Sequence, residues 1–427
     1  MRMVLVKYLL NDCLLKRYAL KKYLPKKYLL VVVCLLSQLF FVEAFATKVY
    51  LLTMSPSQQE VYTMWGHTAL RVHTDSVDKV YNYGVFLFDD GFLYKFVKGE
   101  TDYWLDTETI MDANYEAMYK NVYLYQQTLN LTEEEAQAIF QALEENLKPE
   151  NRVYRYNFFY DNCATRTRNI VEKVLGEIRY PEINNKKTYR DEIYKLTKSS
   201  PWLTFGIDLC LGVPTDERIP DYDLMFLPME LHRAYEGAER KVDGVWKPLI
   251  RKEITIVQPV HKKGPKEHCY FTPMLCFSLL FLAFAVWTLV RVKRQKKHSK
   301  QPLIVEYVLD DILFIAYGLL GVILAFLAFV SIHPCTHPNL NLLWSNPLQL
   351  LFPILVCWKR LTKPFCILLI INAIACVITI FGYWLFPQTM NVATLPLAAL
   401  MAMRSLYWVW QRGGVEILGF KTSKKNV

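Results

Sequence analysis

The sequence is short of the residue patterns that bind metals or build a disulfide framework. Its ten cysteines include no CxxC pair, and no His/Cys cluster has zinc-ligand spacing, so a metal site is not expected. Cys13 and Cys34 lie in an N-terminal leader, while Cys276, Cys357, Cys366 and Cys376 lie in long apolar runs. Only Cys163, Cys210 and Cys269 stand between the leader and those runs, with Cys335 in a later loop. A Cys163–Cys210 disulfide is the bland alternative to a reactive Cys163. Internal repeats and low-complexity tracts are also missing. Acidic residues are outnumbered, 40 Asp and Glu against 50 Lys and Arg, a balance that invites a nucleic-acid partner. The excess, however, sits in the leader and in loops between apolar runs, where it sets topology and contacts anionic lipid. No nucleic acid is expected.

What is present is an export signal and a membrane domain. Residues 1–27 are rich in Lys and Arg, residues 28–42 are almost wholly apolar, and Ala44-Phe45-Ala46 has the small-x-small pattern of a signal-peptidase site. Residues 1–46 therefore read as a signal peptide or N-terminal anchor. Spanning a bilayer takes roughly 20 apolar residues, and five segments are expected to do so: 270–290, 312–332, 342–358, 365–386 and 391–410. Basic residues fill alternate loops, at 291–300, at Lys359, Arg360 and Lys363, and at Lys421, Lys424 and Lys425, while 333–341 and 387–391 carry no Lys or Arg. The positive-inside rule then puts residues 47–268 outside the cytoplasm and makes 269–427 a five-span helical domain with a cytoplasmic C-terminus. Arg404, inside the last span, requires a partner.

Strands are expected at 48–53, 64–73 and 80–88. Thr132-Glu133-Glu134-Glu135 forms a capping box, and Ala136, Ile139, Phe140, Leu143 and Leu147 recur at helical spacing. An aromatic strand at 153–160 leads to Asp161-Asn162, an N-cap for a helix over 164–175 that Gly176 ends.

That N-cap is where chemistry enters. If Asn162 caps the helix, Cys163 is its first residue, the helix dipole lowers its pKa, and free backbone N–H groups stand ready for an oxyanion. A buried helix-start cysteine is the bland alternative. His67 opens a strand directly after Gly66, and its case rests on pairing with Cys163; His73 shows that a strand histidine needs no special role. Asn82 is the candidate to orient the imidazole, provided that strand register puts Asn82 rather than Tyr81 and Tyr83 on the His67 face. Arg166 and Arg168 offer a lipid-phosphate contact or a solvated helix face. His333, His337, Asn339 and Trp344 lie in an outer loop suited to positioning lipid. A Cys/His pair held above a bilayer suggests chemistry on acyl groups.

The order of His on an early strand, then an Asn-Cys pair at a later helix start, resembles the circularly permuted NlpC-like (papain-like) enzymes, among them the lecithin:retinol acyltransferase type. More closely, Ser55-Pro56, Tyr62-x-x-Trp65-Gly66-His67-Thr68-Ala69-Leu70-Arg71-Val72, Tyr81-Asn82-Tyr83-Gly84 and residues 157–166 are similar to the Lnb lipoprotein N-acyltransferase family. So are Pro201-Trp202, Leu211-Gly212-Val213-Pro214-Thr215-Asp216, Phe226-Leu227-Pro228, His333-Pro334 and the run from Asn341 to Pro347. Trp65 and Ala164 are mild departures. The resemblance implies an α+β permuted papain-like domain followed by an α-helical transmembrane domain, in the bacterial inner membrane with the catalytic domain in the periplasm. It implies N-acylation of a diacylated lipoprotein with Cys163 as nucleophile and His67 as base, the acyl donor being a phospholipid or lipoprotein. No cofactor is needed, because the ester carries the activated acyl group. A membrane-anchored cysteine peptidase or amidase would use the same pair, and a non-catalytic scaffold would bury Cys163 or bridge it.

Overall fold

The computed structural model describes residues 47–183, 186–260, 270–297 and 302–413. The leader, Cys269, residues 298–301 of the basic loop and the C-terminal lysines lie outside the described residues.

Alternating apolar side chains make the first half a sheet. Its strands are Lys48–Met54 (β1), His67–His73 (β2), Asp78–Val85 (β3), Asp102–Glu108 (β4), Leu124–Leu129 (β5) and Val153–Arg155 (β6). The short Ile178–Arg179 (β7), Glu239–Val242 (β8) and Val245–Pro248 (β9) form a second, three-stranded sheet, and Ile250–Val257 (β10) returns to the first. The main sheet is antiparallel, in the order β10-β5-β1-β2-β3-β4-β6. Helices Phe92–Lys98 (α1), Ile110–Tyr119 (α2), Glu133–Leu147 (α3), Cys163–Leu175 (α4), Tyr189–Thr197 (α5), Pro201–Cys210 (α6) and Pro228–Glu236 (α7) complete the domain. Since successive strand residues face opposite ways, the sheet buries both sides. Leu51, Leu70, Val72, Tyr81 and Tyr83 pack against α3, α4 and α7. Leu52, Met54, Ala69 and Val80 pack against Ala113 and Ala117 of α2.

Several expected boundaries move. Met64 and Trp65 belong to a 3-10 turn, Val61–Trp65, and the strand starts only at His67 because Gly66 intervenes at φ 79°. The strand expected over 80–88 ends at Val85, and residues 157–161 close a turn through the Asn157–Asp161 bridge instead of extending β6.

The second half is helical, with Pro273–Lys297 (α8), Ile304–Phe329 (α9), Phe352–Cys357 (α10), Thr362–Gly382 (α11) and Thr394–Gln411 (α12). Among the described residues, four segments are long and apolar enough to cross a membrane: Pro273–Gln295, Ile304–Phe329, Leu340–Cys357 and Lys359–Gly382. The third is broken into two 3-10 turns, Leu340–Leu343 and Pro347–Leu351, before α10, since Pro347 and Pro353 each remove a helical donor. The second starts at Ile304, eight residues before the expected 312, and so takes Glu306 and Asp310 into the helix. That extension supplies the partner Arg404 requires: its guanidinium donates to both oxygens of Asp310 and to Thr288, and Asp310 also accepts from Trp408.

A polar seam joins the halves. Arg190 binds Asp208 and Asp216 and donates to the carbonyls of Leu211 and Gly212. Asn339 donates to Leu209 O at 2.8 Å, Gln388 to Leu211 O at 3.0 Å and Asn391 to Asp208 at 2.9 Å. The loops around residues 333–341 and 387–391, which lack Lys and Arg, thus lie on the side of the sheet domain.

Candidate active site

Two glycines shape the place where helix and sheet meet. A Cβ on Gly66 would stand 2.6 Å from Met54 O, and the residue has positive φ, so glycine is required to turn the chain into β2 with His67 first. Gly84, at φ 95°, interrupts the β3–β4 register between Tyr83 and Val85. A Cβ there would lie 3.9 Å from both Cys163 Cβ and the Tyr154 hydroxyl. Asn82 pairs with Ala69, so His67, Ala69 and Asn82 share one face, while α4 packs on the face of Leu70 and Tyr81. The bare backbone at Gly84, at the end of the sheet, lets the thiol from one face reach the imidazole from the other.

Cys163 is the first residue of α4, and its cap is over-determined. Asn162 Oδ1 accepts from Ala164 N at 2.9 Å and Thr165 N at 3.0 Å, and Asn162 Nδ2 donates to the carbonyls of Phe158 and Phe226. A cap of this kind stabilises a helix by about 1 kcal/mol, and here it also fixes where the thiol points. The Cys163 sulfur is hydrogen-bonded to His67 and accepts from the backbone N–H groups of Thr68 and Ala164. His67 Nε2 lies 3.0 Å from Asn82 Oδ1. Asn82 is hydrogen-bonded in turn to Glu108. A carboxylate accepts, so the amide NH2 must face Glu108 and the amide oxygen the ring. That assigns a hydrogen to Nε2 and leaves Nδ1 for the thiol.

Charge follows from these contacts. Burial opposes the thiolate most strongly, yet the neighbouring imidazolium, its hydrogen bond and the two backbone donors together bring the Cys163 pKa below its ordinary value. Burial likewise opposes charge on His67, but the Cys163 thiolate and the bonds to Cys163 and Asn82 raise its pKa to about 9. The contact thus favours thiolate at Cys163 and imidazolium at His67. By contrast, burial alone pushes the Cys210 thiol up to about 11.

Two phenols stand near the sulfur. Burial, and then the charge of Cys163, raise the pKa values of Tyr154 and Tyr156, so both remain protonated donors. The Tyr154 ring carries the Arg166 guanidinium at 3.6 Å, but its hydroxyl, in a residue only 6% exposed, has no partner among the described residues.

The structure thus brings Cys163, His67 and Asn82 together and adds Glu108 and Tyr154. Sequence reasoning missed both. Tyr154 had one legible signal, its place in the aromatic run just before the Asn-Cys pair, whereas Glu108 had none. Cys163 and Cys210 are both free thiols, so the bland disulfide alternative does not hold. Arg166 is held by Asp161 at 2.6 and 2.7 Å, and Arg168 is buried over the Tyr222 ring instead of forming a solvated face. His333 and His337 lie apart from the thiol, against Phe96 and Phe329. Trp344 is fully buried and donates to Asn341, so it packs the membrane domain and does not meet lipid as expected.

Residues 43–195 match the family model of the Lnb N-terminal periplasmic domain, and residues 265–413 match that of the Lnb transmembrane domain. The chain belongs to the Lnb family. No curated protein and no solved structure matches it. Lnb membership makes it a membrane protein with a periplasmic domain and an envelope enzyme of lipoprotein processing. The Lnb periplasmic match takes in Cys163, His67, Asn82, Glu108 and Tyr154 together, and the Lnb transmembrane match takes in the seam residues Asn339, Gln388 and Asn391.

Proposed function

We propose that the chain is a lipoprotein N-acyltransferase working by a ping-pong route through a thioester on Cys163. The observation that carries this reading is the Cys163–His67 pair, oriented by Asn82, on a domain bonded to the outer ends of membrane helices. In the first half-reaction the thiolate attacks the ester carbonyl of a phospholipid or lipoprotein. A C–S bond forms, the ester C–O bond breaks, and the His67 imidazolium gives its proton to the departing alkoxide. In the second, the α-amine of a diacylated lipoprotein attacks the thioester: a C–N bond forms, the C–S bond breaks, and His67 takes the amine proton. In each half-reaction a tetrahedral oxyanion needs donors. The Cys163 amide, with no helical carbonyl four residues behind it, and the spare Tyr154 hydroxyl fill that role. An amine outruns water at a thioester when it is held close in a dry site, and the acceptor's diacylglyceryl anchor supplies that positioning by staying in the bilayer.

The same reading places the chain in the inner membrane with five passes. The fifth is α12, whose Arg404 charge is met by Asp310. Arg166 holds the cap beside Tyr154, and His333 and His337 border the lipid side of the junction.

The test is expression in cells depleted of their own lipoprotein N-acyltransferase, with tandem mass spectrometry of lipoprotein N-terminal peptides. N-acylated termini are expected. Free α-amines on every lipoprotein, despite inserted enzyme, would sink acyl transfer and leave a cysteine hydrolase as the reading of the same pair.

A further inference from the structure

The segment between β3 and β4 carries an apolar surface that the reaction at Cys163 leaves unused. Leu87, Phe88, Leu93 and Tyr94 are 70, 73, 73 and 64% exposed. A contiguous patch of this kind marks an interaction site in a folded protein. Its depth is set by contacts with α9, one of the segments apolar enough to cross the membrane. Tyr94 meets Phe326, three residues before α9 ends at Phe329, with ring centroids 6.5 Å apart. Just beyond that end, Ile332 N donates to Lys98 O at 2.9 Å and the His333 ring bonds the Phe96 carbonyl. A side chain beside the last turn of a crossing helix lies at the boundary of hydrocarbon and headgroups, where aromatic rings concentrate.

A line of rings runs inward from that surface. Phe88 and Phe92 meet Phe86 at 5.0 and 5.4 Å, Phe86 meets Tyr103 at 4.9 Å, and Tyr103 stacks on Tyr156 at 4.2 Å. Phe86, Tyr103, Tyr154 and Tyr156 pack in the same apolar cluster as Cys163.

We propose that residues 86–96 are a lipid-entry element. Leu87, Phe88, Leu93 and Tyr94 are immersed in the outer leaflet, and Phe86 and Phe92 line the path by which one acyl chain of a membrane diacyl lipid reaches Cys163. The immersion rests on the contacts with α9, whereas the path rests on the acyl-transfer reading.

The full chain, reconstituted in phosphatidylethanolamine–phosphatidylglycerol vesicles with a benzophenone amino acid at Leu87, Leu93 or Val245, separates the two. Val245 is also exposed, but its hairpin is bonded to Asn130 through Pro248 O, beyond the opposite end of the sheet. Irradiation is expected to yield phospholipid adducts at Leu87 and Leu93 and none at Val245. Adducts no more frequent at the first two than at the third would overturn the immersion. The path is tested with a Phe88→Asp, Leu93→Asp double variant, expected to lose at least about tenfold in kcat/KM toward vesicle phospholipid while iodoacetamide labels Cys163 at the unaltered rate. Wild-type transfer by that variant would overturn the path. A wild-type enzyme that transfers no acyl group would overturn it together with the acyl-transfer reading, and the cross-link would still decide the immersion.

Discussion

Arg404 with Asp310 in the membrane domain and Cys163 with His67 in the periplasmic domain are both enclosed charge pairs, but their surroundings differ. Around Arg404 the partners are in place: both Asp310 carboxylate oxygens and Thr288 accept from the guanidinium, and the Trp408 indole donates to Asp310. Around Cys163 the set is unfinished, because the Tyr154 hydroxyl has no partner among the described residues and the Cys163 amide opens a helix. The charge pair that joins helices is enclosed by partners on both the guanidinium and the carboxylate. Under the proposed acyl transfer, the other keeps donors in hand for an oxyanion that arrives later.

The largest effect separates the two pairs. Cys163→Ala or His67→Ala is expected to lower turnover about 10⁴-fold or more while the protein accumulates normally, and the double variant to lose little beyond either single one, as residues acting as a unit do. The check is acyl transfer measured beside membrane-inserted yield. Iodoacetamide sharpens it: with the Cys163 pKa lowered by its contacts with His67, labelling of Cys163 is expected to level off at a lower pH than that of Cys210 as the pH is raised through neutrality. Cys210, pushed up to about 11, is expected to label about tenfold faster per pH unit through the same range. A Cys163 rate that climbs as Cys210 does would remove the ion pair and the contrast with it.

Next in size, Asp310→Asn leaves Arg404 buried without its counter-charge, which costs about 3–5 kcal/mol. Lower yield and thermal stability are expected, with unaltered turnover per folded molecule. Replacing both residues by apolar ones of similar volume is expected to restore most of the yield. Reduced turnover per folded enzyme would show that this pair serves the chemistry after all.

The smallest effect is the most discriminating. Tyr154→Phe removes a buried hydroxyl without a partner, a group whose burial costs about 1–3 kcal/mol, so thermal stability is expected to hold or rise. Turnover is expected to fall about 10²-fold, the scale of losing one oxyanion donor. Joint loss of stability and activity would make Tyr154 a packing residue.

Much of this arrangement was legible in the sequence because it is written locally. The Thr132 capping box, the Asn162 cap and the apolar runs each need only a few neighbours to be recognised, and α3 and α4 lie where their caps predict. Asn82 was one of two alternatives because a single-residue slip would have put Tyr81 beside His67; the pairing of Ala69 with Asn82 settles it. Glu108 and Tyr154 come from other strands, β4 and β6, and no local pattern brings them to Asn82 or Gly84. The start of β2 was misread because apolar Met64 and Trp65 continue the alternation that Gly66 breaks. Leu211-Gly212-Val213-Pro214-Thr215-Asp216 stood out as a motif without a role, and the structure places it in the seam.

That seam has a consequence for how freely the two halves can move. Gly212 N donates to Cys335 O at 2.7 Å and Val213 N to Pro338 O at 2.8 Å, and a Cβ on Gly212 would meet Pro338 O at 2.2 Å. With no slack between backbone and backbone, the Gly212 loop and the loop at 335–338 are clamped together like two halves of a hinge pinned shut. A methyl group at Gly212 would force that loop away from Pro338 and loosen the junction.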